Sequence, residues 1–85
     1  MSLSQQPSNT SEEEVSKFYK RISENVKKFR TEAGLSQMDL ALEIGIKSIA
    51  FFSNAESNRY DKHFNLEHLY KIAKALDRHV CEFFE

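Results

Sequence analysis

Leu35-Ser36-Gln37-Met38-Asp39-Leu40-Ala41-Leu42-Glu43-Ile44-Gly45, followed two residues later by Ser48-Ile49-Ala50-Phe51-Phe52-Ser53-Asn54-Ala55-Glu56, carries the most structural information in this chain. Ser36 and Asp39 stand at the spacing of a capping box, in which each satisfies a free backbone N–H of the other's residue. Leu40, Ala41 and Ile44 then recur at three- and four-residue steps, the period of a helix apolar on one side. Gly45 stops that helix. The turn Gly45-Ile46-Lys47 leads to Ser48, an N-cap for a third short helix running to about Glu56, with Phe52 and Ala55 facing inward. Two short one-sided helices joined by a tight glycine turn form a helix-turn-helix unit. Small Ala41 lets them approach closely.

Working outward, Ser11 and Glu14 repeat the capping spacing, and the run Glu12-Glu13-Glu14 suits the positive end of a helix dipole. Val15, Phe18, Tyr19, Ile22, Val26, Phe29 and Ala33 then hold the helical period, predicting one helix of roughly six turns ended by Gly34. Past the central unit, Ser57 to Phe64 reads as a polar loop with basic side chains. Asn65 caps a fourth helix with Leu66, Leu69, Ile72, Ala73 and Leu76 on its apolar face. A short fifth helix, about His79 to Phe84, brings Val80, Phe83 and Phe84. The expectation is an all-α chain of five helices with an extended first helix. Residues 1–10 are expected to be a disordered tail, and 11–85 one domain: an N-terminal extension over 11–21 and a core over 22–84.

Eighty-five residues allow a single domain. No apolar run approaches the ~18 residues needed to span a bilayer, and nothing near the start resembles a signal peptide. The lone Cys81 cannot form an internal disulfide, so a cytoplasmic setting is expected. His63, His68, His79 and Cys81 lack the paired spacing of a zinc site. No nucleophile–base arrangement is evident, so neither a metal, a cofactor nor an enzymatic activity is expected. Twelve basic against thirteen acidic residues give a net charge of −1. Any positive face must therefore come from segregation of charge, not from excess.

In this order, Val26-Lys27-Lys28-Phe29-Arg30, Gly34-Leu35-Ser36-Gln37, Leu40-Ala41, Ser53-x-x-Glu56, Leu69-x-x-Ile72-Ala73-Lys74-Ala75-Leu76 and Glu82-Phe83-Phe84 resemble the lambda-repressor/Cro-like (XRE) helix-turn-helix regulators. The resemblance covers about Ile22 to Phe84. It implies a five-helix lambda-repressor-like DNA-binding domain that holds its third helix outward for a major groove about 12 Å wide. Two features depart from the family. The turn before the third helix is one residue longer, and the loop from Ser57 to Phe64 is enlarged, without the family's frequent Gly and Pro.

Carried onto this chain, the resemblance implies that Gln37 binds a phosphate and buttresses the reading helix; the helix N-terminus is itself a favourable anion site. Ser48, Ile49, Ala50, Ser53 and Asn54 are the candidates for the groove-facing side. Asn can pair with adenine and small apolar groups with the thymine methyl, a combination that favours A·T-containing sites. Ile49 and Phe51 equally suit packing. Lys47 in the turn, and Ser57, Asn58, Arg59, Tyr60, Lys62 and His63 after the third helix, are placed to grip phosphates, which position a protein without specifying sequence. Lys27, Lys28 and Arg30 equally suit a solvated face at a helix C-terminus. Glu56 would repel phosphate, so its expected role is an internal pairing with a base such as Arg30.

Val15, Phe18 and Tyr19 extend the apolar stripe of the first helix beyond what a core of this size can cover. With Phe83 and Phe84 they are expected to form a homodimer surface, or a brace within one chain that supports it. The functional expectation is a sequence-specific double-stranded DNA-binding transcriptional regulator, acting as a repressor. The alternative is a protein-interaction or antitoxin-like module using exposed aromatics (Phe18, Tyr19, Phe51, Phe83, Phe84) to bind another protein.

Overall fold

Glu12–Glu32 form a single 21-residue helix, α1, in the computed structural model, which describes residues 11–85. The expected tail over 1–10 lies outside the described residues. Ser11 caps α1 by accepting the Glu14 N–H at 3.1 Å, and three acidic residues occupy its first turn. It ends at Gly34, whose φ of +75° is the left-handed conformation that terminates helices at low cost to glycine. α2 (Gln37–Glu43) opens with the predicted capping box of Ser36 and Asp39. Gly45, at φ +80°, turns the chain toward Ser48, which caps α3 (Ile49–Ser57). Asn65 caps α4 (Leu66–Ala75), with His68 returning a bond to the cap.

The described residues contain four α-helices and two 3₁₀ segments, Arg59–Asp61 and Val80–Phe84, with no strand. The expected fifth helix is therefore a 3₁₀ turn. Its tightness has a local cause: the Glu82 N–H bonds the His79 carbonyl at 3.0 Å, while the Glu82 carboxylate accepts the His79 N–H at 2.9 Å. Those bonds close the segment on itself within four residues.

Phe52, Phe83, Leu40, Ile72 and Val26 are the largest fully buried side chains. They come from every element except the Arg59–Asp61 turn, so one core joins α1 to α4 and the C-terminal segment. That segment docks on α1. Phe83 meets Phe29 at 5.8 Å between ring centroids, and Asn25 Nδ2 donates to the Phe83 carbonyl at 2.9 Å. Arg78 lies 4.0 Å over the Phe29 ring and pairs with both Glu32 and Glu82.

Three placements differ from expectation. Leu66, counted in the apolar stripe of α4, is 77% exposed. Phe64, read as part of a polar loop, takes the core position beside that helix, edge-on to Phe52 at 5.1 Å. Ile46, read as turn, is also buried. Phe64 and Ile46 are loop residues, which the core selects by where the loop brings them and on which periodicity is silent, while Leu66 stays out as the first residue of α4.

Candidate nucleic-acid interface

Glu56 organises the surface around α3 from within. Its carboxylate accepts Arg30 Nε at 2.8 Å and Arg30 Nη2 at 2.9 Å, a two-point pairing from α1. Gln37 Nε2, at the first turn of α2, adds a third bond to the same carboxylate at 2.8 Å. Arg30 Nη1 also donates to the Leu35 carbonyl at 2.8 Å, fixing the entry to α2. The Arg30 and Glu56 side chains are 9% and 2% exposed, so charge here is neutralised inside the molecule and not displayed. The expected internal pairing of Glu56 with Arg30 is present. Ser23 supplies a neutral counterpart, its Oγ donating to the Ala55 carbonyl at 2.9 Å.

With α3 held by Phe52, Ala55 and Glu56, the helical step of about 100° per residue turns Ala50, Asn54 and Ser57 to the opposite side, with Ser53 on its flank. Asn54 and Ser53 are half-buried, and neither side chain has a hydrogen-bond partner among the described residues. Ile49 and Phe51 lean inward and pack against the core, Phe51 meeting His68 at 5.5 Å. Ser48 spends its side-chain oxygen on the Phe51 N–H at 3.0 Å, leaving its hydroxyl hydrogen available. Gln37 shows the buttressing half of its expected role, because its amide braces Glu56.

Beyond α3, Arg59 and Lys62 are exposed, as is Lys47 in the preceding turn, and none of the three is in an ion pair among the described residues. Asn58 differs from its expected place in the phosphate grip. It caps α3 in the left-handed conformation, and its Oδ1 lies 3.3 Å from both Ser23 Oγ and His63 Nδ1. His63 is likewise turned inward, its ring stacked 3.7 Å from that of Tyr19. Ser23 was missed by sequence reasoning, since a small polar residue beside an apolar stripe gives no signal of a carbonyl waiting opposite.

The N-terminal half of α1 is braced within the chain. Phe18 stacks on Phe84 at 6.0 Å and 13°, and Tyr19 stacks on His63. Phe83 is fully buried and so leaves the expected dimer surface: it is the anchor of the C-terminal segment. Val15, Phe18 and Phe84 keep 40%, 50% and 37% exposure. No helix of the described residues is long and apolar enough to cross a membrane, and no cluster of metal-ligating side chains occurs among them.

A family model described as helix-turn-helix matches residues 26–83, well over half of the chain. No match was found among curated proteins or among solved structures.

Proposed function

The chain belongs to the lambda-repressor-like (XRE) helix-turn-helix family of DNA-binding regulators, and from that premise we propose that it is a sequence-specific repressor without enzymatic activity of its own. The observation carrying this reading is the Glu56 clamp. It ties α1, α2 and α3 together from the inside and leaves Ala50, Ser53, Asn54 and Ser57 presented outward on a rigid element. Asn54 reads adenine in the major groove, with Ala50 toward a thymine methyl. Gln37, Lys47, Ser48, Arg59 and Lys62 fix the register on phosphates. Lys47, Arg59 and Lys62, set against a Glu56 already neutralised, supply local positive charge in a chain of net charge −1.

A homodimer using Val15, Phe18 and Phe84 completes the proposal. Two reading helices roughly 34 Å apart would meet successive turns of one DNA face and double the phosphate contacts. The protein acts in the cytoplasm, where its DNA target lies.

The protein-interaction alternative draws support from Met38, Leu42, Leu66 and Tyr70, all more than half exposed. Salt separates the two. DNA binding through several phosphates weakens with a slope of ~0.9 per phosphate, whereas an apolar protein interface barely responds.

In-vitro selection from a random DNA library, with an Asn54→Ala, Arg59→Ala protein in parallel, tests the reading. Enrichment of a two-fold related, A·T-containing motif that the double variant loses supports it. Absence of enrichment at low salt overturns it in favour of a protein partner.

A further inference from the structure

The twelve basic residues are spread unevenly over the chain. Arg30 and Arg78 are held in ion pairs with Glu56, Glu32 and Glu82, and Lys71 pairs with Glu67. Lys74 lies over the Tyr70 ring. Lys47, Arg59 and Lys62 surround the reading helix. The other five, Lys17, Lys20, Arg21, Lys27 and Lys28, all belong to α1, and all are exposed. Lys17 is 3.5 Å from Glu13, and Lys28 lies over the Phe29 ring at 5.7 Å. Among the described residues Lys20, Arg21, Lys27 and Lys28 make no ion pair, so α1 carries more unpaired cations than the surroundings of α3.

At about 100° per residue, Lys20, Lys27 and Lys28 fall opposite the core face of Ile22, Val26 and Phe29, with Lys17 and Arg21 beside them. From Lys20 to Glu32 no exposed residue of α1 is apolar. Glu24 is the carboxylate within this stripe. Glu13 and Glu14 stand at its N-terminal end, Glu32 is bonded to Arg78, and Glu85 lies on the flank beside Asn25. Glu12 lines the groove with Asn58, Asp61 and His63. Helix stability does not account for the stripe. Lys17 and Arg21 are like charges one turn apart, which weakens a helix. Attraction to the negative helix end fades within the last turn, and Lys20 and Arg21 lie about three turns before Glu32.

A protein partner calls for an apolar centre, since interface cores are depleted in charge. An anionic bilayer calls for an apolar face to insert, and that of α1 is taken up by the core. A phosphate backbone calls only for spaced cations on a firm support, as here with Lys20 and Lys27 about 10 Å apart along the helix. We propose that the outer face of α1 holds the phosphates of a second DNA duplex, distinct from the one α3 reads, so that the protein joins two DNA segments. α1 and α3 meet through Ser23, Arg30, Ala55 and Glu56, all on their inward sides, so their outward faces diverge. Only the first duplex rests on the DNA-binding reading above.

The test compares the full chain with an α1 variant (Lys20→Gln, Lys27→Gln, Lys28→Gln) and its charge-keeping counterpart (Lys20→Arg, Lys27→Arg, Lys28→Arg). Glutamine and arginine match lysine in helix propensity, and Phe18 and Phe84 stay untouched, so urea midpoints are expected to agree. Protein is loaded on an immobilised duplex carrying the selected motif and washed. Capture of a labelled random-sequence duplex from solution is then measured across a salt series. Wild type and the arginine variant are expected to capture it, and the glutamine variant at least tenfold less. Affinity for a single short motif duplex is expected to agree within about twofold in all three. In an Asn54→Ala, Arg59→Ala background, residual binding to random duplex is expected to lose up to ~0.9 of salt slope per glutamine added. Equal capture by wild type and glutamine variant overturns the proposal and places the second duplex on the α3 of another copy. A matching loss of single-duplex affinity also overturns it, because the stripe then serves the duplex α3 reads. A wild type that binds the motif but captures no second duplex removes this inference alone and turns α1 toward an acidic protein. Absence of any duplex binding at low salt removes both the inference and the reading.

Discussion

The guanidinium of Arg30 and the carboxylate of Glu56 face each other across α1 and α3, joined by two bonds of 2.8 and 2.9 Å with almost no exposure to solvent. Twenty-six positions apart in sequence, they are the polar centre of the helix-turn-helix unit, and Gln37 completes them from α2.

Removing one partner leaves the other as an uncompensated buried charge. Arg30→Ala and Glu56→Ala are each expected to cost about 3–5 kcal/mol of unfolding free energy in urea denaturation. Arg30→Lys recovers only part, because an ammonium cannot make the two-point contact. A loss below about 1 kcal/mol would place the pair with ordinary surface ion pairs and contradict its assignment as a clamp.

Burial among Phe51, Phe64 and α4 pushes the His68 imidazole below its ordinary 6.5, with Lys71 adding to the effect and Glu67 opposing it. Its Nδ1 also accepts the Asn65 N–H at 3.1 Å, a bond only the neutral ring can take. The folded state therefore prefers neutral His68, and the unfolded chain takes up the proton first as pH falls. Stability from this group is complete above 6.5 and declines as pH drops from there through the lowered folded value. Urea midpoints across that range should fall in the wild type and fall less in His68→Gln. Equal slopes in the two proteins would remove His68 as the cause.

Gly45 holds φ +80° at the turn into α3, and a Cβ built there meets nothing within 4 Å. The cost of Gly45→Ala is thus purely one of backbone conformation, about 1 kcal/mol, and Gly45→Asn should cost less. Thermal denaturation of both variants gives the comparison. An alanine variant as stable as the wild type would mean the turn relaxes to negative φ without penalty.

Phe18 and Phe84 stack within one chain while keeping 50% and 37% exposure. A double-mutant cycle with Phe18→Ala and Phe84→Ala should return a coupling of about 0.5–1.5 kcal/mol for the stack. Sedimentation at high micromolar concentration separately tests the proposed homodimer, with Phe18→Ala shifting it toward monomer. A wild type that stays monomeric there removes the dimer, and the exposed half of Phe18 then has no partner.

Capping and termination were legible because they are local. Ser11, Ser36, Ser48 and Asn65 each announce a helix start by bonding a backbone N–H three residues on, within reach of sequence spacing alone. Gly34 and Gly45 announce the ends for an equally local reason. The pairing of Glu56 with Arg30 was also foreseeable, since an acid beside a phosphate-binding face needs an internal use.

What the sequence by itself determined is therefore the starts and ends of the four α-helices, though not that the fifth expected helix winds as a 3₁₀ turn, together with the apolar faces of α2 and α3 and the helix-turn-helix unit that assigns the family. Only the tertiary structure decided that the loop residues Phe64 and Ile46 enter the core while Leu66, at the start of α4, stays out. It also decided that Asn58 and His63 turn inward, that Phe83 anchors the C-terminal segment, and that Tyr60 is held outward at φ 55°. The division has one physical cause. Helical period and caps depend on bonds spanning three or four residues. A loop side chain instead takes its position from whichever surface packing brings beside it, and those surfaces lie tens of residues away in sequence.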